Sequence, residues 1–359
     1  MNLLILTGSF GMGHNAAANA IAESIIAERK DTNVYVEDLF NKTLKSQKYN
    51  LPFSLMVKYG KGLYNFVYRN SQDSELFKKL PFHKYLLHCL QELIDQSGAD
   101  VIVSTLPYCS KVVSEYKRFM RSAIPLITCI TDVSSHCEWL HPHTDYYLVA
   151  APQVKEELVR KGVDARRILV GGIPVRGEFQ KAGDRAEPHQ TQRLLLMGGG
   201  LGLLPKSRSF YEELNRMSGV RTTVITGKNV KLYKALAGKY ENIEVLAYVK
   251  DVSEYMKNAD LLVSKPGGIT MFEAVAAELP LLIFPPFLQH EFKNGAFILE
   301  NRIGVMLPGN RKAWIQAIRD LLGDDGKRTR IRENMRAIKS ELDASALIRV
   351  LDGYVLQCA

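Results

Sequence analysis

At 359 residues, and roughly 150 residues per domain, the chain is sized for two domains, and 46% hydrophobic with 24% charged residues is an ordinary globular balance. Five cysteines with no CxxC or Cys/His zinc spacing exclude a disulfide scaffold and fit the reduced thiols of a cytoplasmic protein. No apolar run approaches ~18 residues, so no transmembrane helix is expected, and the net charge of +9 leaves a basic region to be located.

The opening residues MNLLILTGSFG run straight into a glycine-rich turn and read as a first strand rather than a secretory leader. The turn, Thr7-Gly8-Ser9-Phe10-Gly11-Met12-Gly13-His14, leads into the alanine-rich helix AAANAIAESIIAE. Glycines there let the backbone approach a ligand closely, and a helix N-terminus favours negative charge. Asp38 ends the second strand, VYVED, but the glycine spacing is GxxGxG and matches a dinucleotide site poorly. His14 stands at the mouth of the turn. A helix N-terminus disfavours the imidazolium, which leaves a neutral ring able to accept a proton; a simple helix cap is the alternative.

Residues 42–84 carry nine basic side chains against two acidic ones, interleaved with eight aromatics. With Lys58, Lys61, Tyr64, Phe66, Tyr68 and Arg69 at its centre, this stretch suits an anionic membrane surface, where rings sit at headgroup level and lysines meet acidic lipid. Single-stranded nucleic acid or a solvated basic face would suit it too. No helix-turn-helix, OB-like or RRM-like setting accompanies the charge, so nucleic acid is the weakest of the three.

The helix HKYLLHCLQELIDQ and the strands DVIVST and LITCIT follow. Just past the latter come Thr131-Asp132-Val133-Ser134-Ser135-His136. An aspartate beyond a strand's carboxyl end sits where α/β catalytic groups sit, and Asp132 could orient the imidazole of His136 or act as a base itself. His136, His141 and His143 raise the thought of zinc but lack a carboxylate at fixed helical spacing. After the strand YYLVA and the helix VKEELVRKG, residues 176–193 are polar, without apolar periodicity, and read as a linker between domains at 1–178 and 190–339.

Beyond the linker the pattern restarts, with RLLLMGG, TTVITG, IEVLAYV, LLVSK and LLIFPP as strands. Two α/β halves, each a doubly wound parallel sheet, would face each other across a cleft at their carboxyl edges. Gly198-Gly199-Gly200-Leu201-Gly202 follows the first of these strands, as a phosphate-holding loop does, without the GK[ST] ending of an ATPase. Ser264-Lys265-Pro266-Gly267-Gly268-Ile269-Thr270-Met271-Phe272-Glu273-Ala274 turns from strand into helix. Thr270 and Glu273 have the spacing of a capping box; alternatively the helix N-terminus takes a diphosphate and Glu273 the ribose hydroxyls. Gln289-His290-Glu291-Phe292-Lys293-Asn294 could hydrogen-bond a sugar or cap the next helix. A last helix from about Lys312 to the C-terminus is long enough for its final part, about 340–359, to return to the first domain.

SKPGGITMFEA, with AYVKDVSEYMKNAD before it and PLLIFPP…HEFKN after it, resembles the donor half of GT-B glycosyltransferases. TGSFGMGHNAAANAI and TDVSSHCEW resemble the monogalactosyl- and processive glucosyl-diacylglycerol synthases, and the resemblance covers nearly the whole chain. It implies a GT-B fold and inverting transfer of a hexose from a UDP-sugar to diacylglycerol or a glycosyl-diacylglycerol, with no cofactor and no catalytic metal. It also implies a cytoplasmic enzyme held peripherally on the inner face of the membrane; oligomeric state is left open. Carried over, Gly13 and His14 belong to the acceptor side, His14 as acceptor base or acceptor-site catalytic group, with Asp132 and His136 as the TD…H motif. Gly199, Gly200 and Gly202 face the phosphates, Thr226 and Gly227 form a second donor-side turn, and Tyr248 and Val249 read uracil. Gly267, Gly268, Ile269 and Thr270 meet the diphosphate and Glu273 the ribose. The family's sugar loop GQExxN aligns through Glu291 and Asn294, which puts His290 in the glutamine's place beside Gln289 and leaves the hexose unassigned. Other acceptors, polyprenyl-linked or soluble, and a non-catalytic UDP-sugar-binding module are the alternatives.

Overall fold

The structure, a computed structural model, describes residues 1–8, 12–39, 83–180 and 191–358. Ser9, Phe10, Gly11, the segment carrying Lys58, Lys61, Tyr64, Phe66, Tyr68 and Arg69, and residues 181–190 of the polar stretch lie outside the described residues, as does the side chain of His290. The chain forms two units, Met1–Arg176 with Leu342–Ala359, and Gly177–Glu341.

In the first unit β1 (Asn2–Thr7), α1 (Gly13–Glu28), β2 (Asn33–Asp38), α2 (His83–Ser97), β3 (Val101–Ser104), α3 (Pro107–Met120), β4 (Leu126–Cys129), β5 (Tyr146–Val149), α4 (Pro152–Arg160) and β6 (Ile168–Val170) succeed one another. Among the described residues the strands form one parallel sheet in the order β2-β1-β3-β4-β5-β6. The run Leu3, Leu4, Ile5, Leu6 is fully buried because alternate side chains leave a strand on opposite faces and helices cover both. Leu4 and Leu6 pack with Ile102 against Leu86, Leu90, Val112 and Val113 of α2 and α3. Leu3 and Ile5 pack with Val101 and Val103 against Ala18, Ile21 and Ile25 of α1.

The second unit holds α5 (Gly177–Gln180), β7 (Gln192–Met197), α6 (Arg208–Asn215), β8 (Val220–Ile225), α7 (Val230–Leu236), β9 (Ile243–Leu246), α8 (Ser253–Lys257), β10 (Leu261–Ser264), α9 (Gly268–Ala276), β11 (Leu281–Ile283), α10 (Gln289–Glu300), β12 (Gly304–Met306), α11 (Trp314–Gly323) and α12 (Asp325–Glu341). Its sheet is again parallel, in the order β12-β11-β10-β7-β8-β9. In each sheet the strand order reverses once, between β1 and β3 and between β7 and β10. Loops on either side of a reversal diverge at the carboxyl ends of the strands and open a crevice there.

Four elements depart from the sequence expectations by being additional: α3, β6, α5 and β12. The ends of the polar stretch 176–193 are structured, with Phe179 of α5 fully buried and Gln192 opening β7. The single helix expected from Lys312 onward is instead broken twice. The Asp324 carboxylate accepts the Lys327 N–H at 2.8 Å and starts α12 afresh. At the second break the Asp343 N–H donates to the carbonyl of Val170 at 2.9 Å, which ties the chain to the edge strand β6. The last helix, α13 (Ala346–Cys358), then lays Leu347 and Leu351 into the cluster of Leu3 and Ile5. Asp352 pairs at 2.7 Å with Arg29, which caps the C-terminus of α1.

Leu351 is fully buried, so Leu351→Ala should lower the unfolding free energy of the first unit by about 2–5 kcal/mol. The chain's two tryptophans, Trp139 and Trp314, lie one in each unit. Urea unfolding followed by Trp139 fluorescence in a Trp314→Phe background therefore isolates that loss; an unchanged midpoint would contradict the packing.

Candidate active site

Helix α1 begins at Gly13 with Met12 at its cap position and no side-chain cap bond. His14 is thus the second helical residue, and the simple-cap alternative is set aside. Its Nδ1 lies 2.8 Å from the carbonyl oxygen of Thr105, at the carboxyl end of β3, and 3.0 Å from the hydroxyl of Thr131. A carbonyl oxygen can only accept, so this contact assigns the ring proton to Nδ1 and makes Nε2 the basic nitrogen. Thr105 is tied in turn to α1, its hydroxyl donating to the carbonyl of His14 at 3.1 Å. Buried Trp139 approaches the imidazole with ring centroids 6.3 Å apart. Loops from both sides of the β1/β3 reversal therefore meet at this histidine.

Asp132 is half-buried just beyond β4. The loop it opens is braced from α4 and its end: the Ser135 hydroxyl donates to Glu157, and the Lys161 ammonium to the Ser135 carbonyl. His136 is buried, and its Nδ1 accepts the Glu138 N–H at 3.3 Å, capping the short 3-10 turn Cys137–Trp139. The carboxylate of Glu138 lies 3.8 Å from the same nitrogen. Burial pushes the pKa of His141 down to about 4, and its Nε2 sits 3.2 Å from the Pro107 carbonyl, so this ring is neutral and anchors the loop. Among the described residues no group of three or more His, Cys, Asp or Glu side chains is placed to hold a metal ion.

In the second unit the turns after β7 and β8 interlock. Gly199, Gly202 and Gly227 have φ of +66°, +61° and +55°, the left-handed region that glycine enters without strain. The Lys228 N–H donates to the Gly200 carbonyl at 2.9 Å, and the Asn229 side-chain amide to the Gly202 carbonyl at 3.0 Å. A Cβ on Gly202 would lie 1.8 Å from the carbonyl oxygen of Thr226, whose own hydroxyl donates to Leu246 at 2.9 Å. Beyond β9, Tyr248 is 51% exposed and Val249 half-buried.

Helix α9 corrects the capping-box expectation. Its cap is Gly267, in extended conformation and with no side-chain bond, so Gly268, Ile269 and Thr270 are its first three residues. Glu273 falls in the second turn and is buried. The Glu291 carboxylate is engaged through both of its oxygens. One oxygen receives the Lys265 ammonium at 2.9 Å, the other the N–H groups of Phe287 and Leu288 at 3.1 and 3.2 Å. Burial works to raise the Glu291 pKa, but Lys265 and these donors outweigh it and hold the carboxyl below its ordinary range. Asn294, fully buried, donates to the Pro266 carbonyl at 3.1 Å. Gln289, half-buried, opens α10. Lys265, Thr131 and Trp139, inside motifs read from the sequence but given no role there, and Thr105, outside them, join the candidate site; each is brought in by a partner distant along the chain.

The model of the monogalactosyldiacylglycerol synthase family matches residues 14–175, and that of glycosyl transferases group 1 matches residues 210–338. The chain is 28% identical to a processive diacylglycerol beta-glucosyltransferase of Bacillus licheniformis, over 94% of this chain and 91% of that one. It is 29% identical to the protein of the same name from Staphylococcus carnosus, over 97% and 92%. Among solved structures it is similar to MurG of Acinetobacter baumannii, with TM-score 0.62 and 15% identity over 98% of each chain. It is likewise similar to the spinosyn rhamnosyltransferase SpnG complexed with thymidine diphosphate, with TM-score 0.66 and 14% identity over 98% of this chain and 100% of that one. Both structural likenesses establish the two-domain GT-B fold.

The interlocked turns make a direct prediction. Gly202→Ala combines the left-handed φ with backbone contact at 1.8 Å, whereas Gly238→Ala, at φ +70° with nothing within 4 Å, meets only the left-handed strain of about 1–2 kcal/mol. Thermal unfolding of the second unit, followed by Trp314 fluorescence, should show the larger loss for Gly202→Ala; equal losses would mean that the turns do not interlock.

Proposed function

We propose that this chain, which belongs to the GT-B glycosyltransferases of the monogalactosyldiacylglycerol synthase and processive diacylglycerol glucosyltransferase family, moves a hexose from a UDP-sugar to diacylglycerol, or to a glycosyl-diacylglycerol, with inversion at the anomeric carbon. The observation that carries the reading is His14, whose Nδ1 is held by the Thr105 carbonyl so that Nε2 is the basic nitrogen. In this role Nε2 takes the proton of the acceptor hydroxyl while that oxygen forms its bond to C1 of the sugar. The C1–oxygen bond to the diphosphate breaks on the opposite face, and UDP departs with the electron pair. Asp132 stays on the acceptor side, and His136 supports the loop that carries it.

In the donor unit we assign the backbone N–H groups of the glycine turns at 198–202 and 267–268 to the diphosphate, whose charge grows as it leaves. Thr226 and Gly227 hold the first of these turns in place, with Ile269 and Thr270 extending the second. Tyr248 and Val249 take uracil and Glu273 the ribose. Of the sugar loop, Gln289 and His290 are assigned to the hexose, while Glu291 and Asn294 build the wall behind it. No catalytic metal enters this scheme. The basic aromatic segment within residues 42–84 supplies the contact with anionic lipid, placing the enzyme peripherally on the cytoplasmic face of the membrane.

The test is transfer of radiolabel from a panel of UDP-sugars, with and without vesicles containing diacylglycerol and anionic lipid. A labelled glycolipid made only with vesicles is expected, and the productive donor names the hexose. UDP-sugar binding without lipid product would overturn the acceptor and redirect it to polyprenyl-linked or soluble molecules. In the same assay His14→Ala should cut transfer by ~10²-fold or more while UDP affinity, measured by calorimetry, stays near wild type. A matching loss of UDP affinity would move His14 from catalysis to binding.

A further inference from the structure

The geometry points to Lys265 as the cation that receives the donor's diphosphate, with Glu291 as the residue that positions it; this rests on reading the second unit as a UDP-sugar site. Lys265 follows β10 at the reversal of strand order with β7, and its side chain lies across both glycine turns. A Cβ on Gly199 would sit 3.1 Å from its Cε, and one on Gly267 3.8 Å from its Nζ. The ammonium is therefore beside the very backbone assigned to phosphate, and the Lys265 side chain is 24% exposed.

Its partner is pinned more firmly than ion pairing alone requires. Glu291 is 4% exposed in its side chain, 2.9 Å from Nζ, and locked from behind by the N–H groups of Phe287 and Leu288. A carboxylate so fixed aims the ammonium, while only one of its three N–H donors is used in the pair. The arrangement has a second effect. Without Lys265, the negative charge of Glu291 would stand beside the phosphates and repel them. Lys265 both neutralises that charge and offers its remaining donors to the diphosphate, whose oxygens bind cations by charge-assisted hydrogen bonds. As C1 parts from the leaving oxygen, the same ammonium meets the growing negative charge without any reorganisation.

A purely structural ion pair would affect stability and nothing that distinguishes phosphate from nucleoside. The experiment is calorimetric titration of the full chain with UDP and with uridine, at several salt concentrations. Lys265→Met should weaken UDP binding by ~10-fold or more, flatten its salt dependence and leave uridine affinity unchanged. Lys265→Arg should restore most of the UDP affinity. Should Lys265→Met fail to fold because Glu291 is left buried beside no cation, the double variant Lys265→Met/Glu291→Gln removes both charges and should show the same selective loss. UDP affinity equal to wild type in either folded variant, or equal losses for UDP and uridine, would overturn the inference. Absence of UDP binding by the wild-type protein would overturn the donor-site reading itself.

Discussion

A doubly wound sheet opens a crevice where its strand order reverses, and the two most firmly held candidate groups, His14 and Lys265, each stand at one such place. In the first unit the reversal separates β1 from β3, and the histidine that follows β1 is held by the carbonyl that follows β3. In the second it separates β7 from β10, and the lysine that follows β10 lies over the glycine turn that follows β7. Loops that part at a reversal expose backbone without leaving a strand edge unpaired. Polar chemistry is thereby concentrated where the sheet has least hydrophobic surface to cover.

The two crevices are furnished differently, as their assigned chemistries ask. Around His14 the structure sets a carbonyl, a hydroxyl and an indole, and the carbonyl fixes the tautomer of the ring. Around Gly199 and Gly267 the furnishing is backbone N–H groups and one ammonium, itself held by a buried carboxylate. A base has to be selective for one proton, whereas a diphosphate site has to answer several oxygens at once. Positioned imidazole suits the first need; glycine turns with a cation suit the second.

Much of this was legible in the chain itself. Apolar runs such as LLIL and LLVS have one meaning when helical patterns separate them: strands covered on both faces. The glycine turns were visible too, since glycine enters the left-handed backbone found at 199, 202 and 227 without strain. What stayed hidden has physical causes. Strands β6 and β12 are each three residues long, too short for a period to show. Helix α3 intersperses Ser110, Lys111, Ser114 and Glu115 with Val112, Val113 and Tyr116, which leaves no apolar run to mark it. Thr270 and Glu273 have the letters of a capping box, yet extended Gly267 starts the helix three residues early. The pairing of Lys265 with Glu291 and of His14 with Thr105 joins residues far apart in the chain, and nothing in local spacing announces it.

One feature of the chain path bears on how the protein is made. The first unit is completed by α13, whose Leu347 and Leu351 cover the face of Leu3 and Ile5, yet all of Gly177–Glu341 is translated in between. On a ribosome adding 5–20 residues per second, roughly 10–30 s pass between the last strand of the first unit and the helix that closes it. During that interval an apolar sheet face stands partly bare while the second unit, contiguous in sequence, can already fold. Early termination of translation anywhere in the second half would thus yield a nascent chain with an adhesive surface at its oldest end, a natural substrate for holding chaperones.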